Sequence, residues 1–82
     1  MKIELHCEKF VDRATLAEFF ELNPAFAKVP GFLKMSRADQ VASKVVVLQG
    51  DWPLVVDAGK ALALFLGEHH SNSAIVTSQE VP

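Results

Sequence analysis

"WPLVVDAGKALALFLG", residues 52–67, reads as a helix with almost no polar side. At about 100° per residue, Asp57, Lys60 and the following Glu68 fall in one narrow arc, with Leu64 among them and Pro53 close by. The rest of the circle is apolar or small. A surface helix ordinarily carries an apolar stripe a little over 100° wide, and this one covers about twice that. One side is explained by packing on a sheet. The remainder needs either the chain's first helix or a second chain. Gly59 and Ala63 lie one turn apart beside Val56 and Trp52, so that side would let another backbone approach closely. Tryptophan is also enriched among binding hot spots. Trp52, Val56, Gly59, Ala63 and Leu64 are therefore the candidate interface residues. The "LAEFF" helix of the same chain, or a partner subunit in a symmetric dimer, would cover them; both remain open.

The chain's 82 residues make one expected domain, 1–82, near the low end of independently folding size. Half of them are hydrophobic, so a core this small is either very efficient or leaves apolar surface for a partner. The apolar run of residues 52–66 is too short to span a bilayer and holds Asp57 and Lys60, so a soluble protein with no membrane association is expected. Cys7 is the single cysteine, which excludes an internal disulfide and fits a cytoplasmic setting. "MKIELHCEKF" is charged throughout and lacks the apolar segment of a signal peptide.

Ten acids against eight bases leave a net charge of −2, which does not favour a polyanion binder. The charge is nevertheless uneven. Residues 22–50 hold four bases and one acid, between two acidic flanks. Lys28, Lys34, Arg37 and Lys44 are thus candidate contacts for an acidic partner, against the plainer reading of an ordinary solvated surface.

"KIELHCE" alternates strictly, with Ile3, Leu5 and Cys7 on one side and Lys2, Glu4, His6 and Glu8 on the other: a half-buried strand with one wet face. In "FVDRATLAEFFELN", Asp12 is placed as an N-cap, Val11 and Leu16 as a hydrophobic staple, and Leu16, Phe19 and Phe20 share the inward face. That helix ends at about Leu22. Asn23 and Pro24 then offer a fresh helix start that Pro30-Gly31 soon halts. Ser36 and Asp39 resemble a capping box for a short helix over about 37–43. "KVVVLQG" is β-branched and continuous, a strand buried on both faces. The long apolar helix follows, with Asp51 as cap, Pro53 in its first turn and Gly67 as the left-handed residue past its end. A short strand near Ala74–Thr77 leads to a tail whose last five or so residues are expected to fray. The order is β-α-(α)-(α)-β-α-β. It predicts a small α+β domain: a three-stranded sheet with helices packed mainly on one face.

No constellation of an enzyme stands out. His6 and Cys7 are strand neighbours and point to opposite faces. Glu68, His69 and His70 are consecutive, which seldom lets side chains converge on one metal ion, and a solvated helix end is the simpler reading. The glycines form neither a phosphate loop nor a dinucleotide fingerprint. No catalytic residue, cofactor or metal is expected. "TLAEFFELNPAFAKV" resembles the helix-turn-helix of DNA-binding regulators over about fifteen residues, although Glu21 or Leu22 stands where that turn usually has glycine. The resemblance implies a small DNA-binding regulator using residues 14–34. The preferred expectation is different: a non-enzymatic adaptor, subunit or inhibitor, of the kind phages and mobile elements carry, acting as a homodimer on a protein partner.

Overall fold

The structure, a computed structural model, describes residues 2–34 and 41–79. Its elements are β1 (Lys2–Asp12), α1 (Arg13–Leu22), a single 3-10 turn (Pro24–Phe26), β2 (Gly31–Leu33), β3 (Ala42–Gln49), α2 (Leu54–His69) and β4 (Ala74–Gln79). The expected three strands, β3, β1 and β4, form an antiparallel sheet, and the three-residue β2 extends it in the order β2-β3-β1-β4. Both helices lie on one face, as expected of this α+β chain. Every neighbouring pair is antiparallel, which is the split β-α-β arrangement of ferredoxin-like sheets.

Alternation in β1 sets the layers. Ile3, Leu5 and Cys7 turn to the helices; Ile3 stands across from Leu48 and Leu5 from Val46, so the three strands' inward residues form one floor. Leu16 and Phe19 of α1 and Val55, Ala58, Leu62, Phe65 and Leu66 of α2 close over it. β3 is buried on both sides, because Val47 on the opposite face is as inaccessible as Val46 and Leu48. That matches its unbroken apolar run.

β1 runs four residues beyond the alternating stretch because its pairing with β3 shifts between His6 and Val11. A bulge of this kind leaves backbone groups without ladder partners. Asn72 supplies them: its Oδ1 accepts from the Lys9 N–H (2.9 Å) and its Nδ2 donates to the Lys9 carbonyl (3.1 Å). The α2–β4 loop is thereby fastened to the irregular part of β1.

α1 begins where the sequence places it. The Asp12 carboxylate accepts from both the Thr15 N–H and the Thr15 hydroxyl, each at 2.8 Å. The backbone bond from Thr15 foremost, then its hydroxyl bond, holds the Asp12 carboxyl below its ordinary range. A carboxyl whose pKa is lowered on folding contributes stability that is complete above its unfolded value, about 3.9, and is lost as pH falls through the folded value. Asp12→Ala is expected to cost about 1 kcal/mol at neutral pH. Asp12→Asn keeps a capping oxygen and has no proton to take up, so wild type should lose its advantage over it below about pH 4. Urea melts of the three proteins between neutral and acid pH check both statements; a pH-independent gap between wild type and Asp12→Asn would contradict them.

Three local expectations are corrected. The helix expected after Asn23 is only the 3-10 turn, because Asn23 directs its amide back to the Phe19 carbonyl (2.9 Å) and so caps the end of α1. Gly31–Leu33 is then strand, so the second helix of a helix-turn-helix does not form and residues 14–34 present no recognition helix. α2 has no side-chain cap from Asp51, whose backbone carbonyl accepts from Val55 instead. Gly67 lies inside α2, which continues to His69; Ser71 (φ 48°) takes the left-handed conformation, and the Leu66 carbonyl receives both His70 and Asn72 N–H groups. Most of the helix expected over 37–43, with its Ser36–Asp39 box, lies outside the described residues, while Ala42 and Ser43 open β3. β4 extends to Gln79, two residues beyond the expected Thr77, and residues 80–82 lie outside the described residues. Among the described residues, no helix is long and apolar enough to cross a membrane.

Candidate functional site

α2 divides into three sides. The side carrying Val55, Ala58, Leu62, Phe65 and Leu66 is buried on the sheet. One flank meets α1 and the 3-10 turn, where the Phe65 ring lies 5.7 Å from that of Phe19. The other flank, with Val56 and Ala63 half-buried, runs beside β4. The "LAEFF" helix therefore covers the flank away from the predicted interface.

Gly59 is itself buried. A Cβ there would stand 3.3 Å from Cγ2 of Ile3 and 3.7 Å from Cγ1 of Val76, so the missing side chain lets α2 settle closely over β1 and β4. Its role is inside the monomer, which differs from the direct interface contact expected of it. Trp52, just before α2, is 58% exposed, and Leu64 is 64% exposed between the charged residues, as its helical position implies. Val56 and Ala63 form the shoulder between them and β4. The five candidates thus separate: one packs inward, two edge the sheet, and two project into solvent.

Sequence patterning did not single out the apolar surface that β4 itself exposes. Ile75 is 70% exposed on the sheet's open face, and Val76 is partly exposed at the edge on the helix face. The available signal was the run "AIVTSQ", six residues without a charge. Among the described residues, no strand lies against the outer edge of β4.

The open face of the sheet carries a second constellation. Glu4 stands between Val47 on β3 and Thr77 on β4, and the Thr77 hydroxyl donates to the Glu4 carbonyl (3.3 Å). Its carboxylate lies 3.3 Å from His6, 3.6 Å from Lys2 and 3.7 Å from Lys34. Alternation placed Glu4 on a wet face, yet it is only 7% exposed, because these long side chains and Val47 crowd it. Burial pushes its carboxyl up, and Lys34, Lys2 and His6 together outweigh that and hold it low. An ionised carboxylate among cations is a structural charge centre, poorly suited to donate a proton.

Three of the four basic candidates lie among the described residues. Lys34 turns to Glu4, Lys44 places its ammonium 5.1 Å over the Phe10 ring, Lys28 is exposed after the 3-10 turn, and Arg37 lies outside the described residues. His69 and His70 each lie with their rings 5.2 Å from Phe65, and His70 reaches Glu18 at 4.0 Å. They line the open end of the aromatic cluster, a packing role added to the solvated helix end expected. Burial pushes the Cys7 thiol up, away from the thiolate that a nucleophile requires. Among the described residues, no three His, Cys, Asp or Glu side chains gather as a metal site. The chain matches no known family model, no curated protein and no solved structure.

Proposed function

We propose that this chain is a non-enzymatic protein–protein interaction module, a small adaptor, subunit or inhibitor that works in the cytoplasm as a homodimer by occupying a surface of a protein partner. The observation that carries this reading is the placement of its surplus apolar side chains. Trp52, Leu64 and Ile75 are all more than half exposed, although the core beneath is closed. Large apolar groups left in water are stabilised when another surface buries them. Leu64 is the most informative, since it rises between Asp57, Lys60 and Glu68 and has no packing role of its own. A rim of charge around an apolar centre is the usual anatomy of a protein interface.

The test is a comparison of wild type and Leu64→Glu as baits in lysate of the native host, with captured proteins identified by mass spectrometry. The expected result is a specific protein retained by wild type and reduced at least tenfold by Leu64→Glu, at equal thermal stability. Identical captures by both baits, or salt-sensitive recovery of nucleic acid alone, would count against it.

A further inference from the structure

We propose that the outer edge of β4 is the homodimer surface, pairing antiparallel with β4 of a second copy about a twofold axis through Val76, so that two sheets become one. This deepens the interaction reading and rests on it for the existence of a dimer. The hydrogen-bond phase of β4 sets the geometry. The Glu8 N–H donates to the Ser73 carbonyl (2.8 Å), and the same register pairs Ile75 with His6 and Thr77 with Glu4. In an antiparallel ladder the bonded pairs alternate, so those residues bond inward to β1 while Ala74, Val76 and Ser78 turn their N–H and C=O groups outward. Val76 of each copy can then exchange both bonds with its counterpart, and Ala74 meets Ser78. The twofold axis is perpendicular to the sheet, so the helix faces stay on the same side.

Charge and shape favour a second copy. Sheet edges in monomers are normally blunted by lysine, proline, a bulge or brevity. The opposite edge follows that rule, since β2 has three residues and is followed by Lys34. β4 offers six residues with no charge or proline, so self-pairing sets no like charges opposite one another and places exposed Ile75 across from β-branched Thr77. The helices fit as well. The Gly59 contacts seat α2 over β1 and β4, about one strand spacing from the new axis. With strands about 4.8 Å apart, the two α2 axes would lie about 10 Å from each other, an ordinary helix-packing distance. The flank that meets there is the Val56–Ala63 shoulder, where Val56 and Ala63 are themselves small, with exposed Trp52 at its N-terminal end.

Sedimentation of the full chain tests the proposal. Wild type is expected near 18 kDa, twice the 9.0 kDa chain, with the Val76 amide protected from exchange in proportion to dimer. Val76→Pro removes the outward N–H while sparing the bonds to β1, and should weaken the dimer on the order of 100-fold. Ala63→Arg blocks the helix approach without altering the edge, so it carries the test if the proline variant misfolds. Leu64→Glu should remain dimeric. A wild type that is monomeric at about 1 mM, or a dimer that survives both Val76→Pro and Ala63→Arg, overturns the edge pairing. So does a monomer in which Val76→Pro abolishes capture of a different protein, since that protein then occupies the edge. A monomer that still captures a protein through Leu64 also overturns it, while leaving the interaction reading intact.

Discussion

Phe19→Ala should lower stability by about 3–5 kcal/mol, at least a quarter of the total. A chain of 82 residues has a total stability of only about 4–12 kcal/mol. Phe19 is fully buried, and three aromatic rings surround it: Phe20 edge-on at 5.2 Å, Phe26 nearly parallel at 6.1 Å and Phe65 tilted at 5.7 Å. Through them α1, the 3-10 turn and α2 meet at one side chain. Alanine would leave a cavity bordered by planar rings, which cannot collapse to fill it as aliphatic chains partly can. Phe19→Leu keeps most of the volume and should cost roughly 1–2 kcal/mol. Urea unfolding followed by far-UV circular dichroism separates these cases. A loss below about 1.5 kcal/mol for Phe19→Ala would mean that the two helices are held to the sheet independently of this cluster.

Asn72→Ala should cost about 2–3 kcal/mol, a large effect for a polar loop residue. Its side chain is nearly inaccessible and replaces a missing strand partner for the Lys9 N–H and C=O. Removing it strands two backbone groups in a partly closed site, each costing about 1–3 kcal/mol when unpaired, with some relief because water can reach the exposed bulge. Hydrogen exchange supplies the specific readout. The Lys9 amide should lose its protection in Asn72→Ala while amides in the centre of β3 keep theirs relative to global stability. Asn72→Asp should also be destabilised, because it retains the acceptor and places a carboxylate against the Lys9 carbonyl. Unchanged Lys9 exchange in both variants would show that the bulge is held by something else.

Most elements were legible because their signals are local. The period-two alternation of Ile3, Leu5 and Cys7, the Asp12 cap and the β-branched run from Val45 to Val47 each follow from a few adjacent residues. The boundaries that failed depend on distant partners. Gly67 carries every local mark of a helix terminator, but α2 continues past it because His69 and His70 gain contact with Phe65 and because Asn72 must reach Lys9. Asn23 and Pro24 look like a helix start, yet β2 takes the following residues to cover the edge of β3. Glu4 had the pattern of a solvent residue and is enclosed by groups from β1, β3 and the segment after β2.

The candidate site divides along the same line. Helical periodicity alone was enough to isolate Leu64 among charges and to gather Trp52, Val56, Gly59 and Ala63 on one side of α2, because the angle between residues on a helix does not depend on what surrounds it. Whether that side was covered depended on where α1 lands. The tertiary structure sends α1 to the opposite flank through the Phe19–Phe65 contact, turns Gly59 inward against Ile3, and sets the Val56–Ala63 shoulder beside the uncharged edge of β4. Which elements become neighbours is decided by closing one shared core, and no window of sequence contains that information.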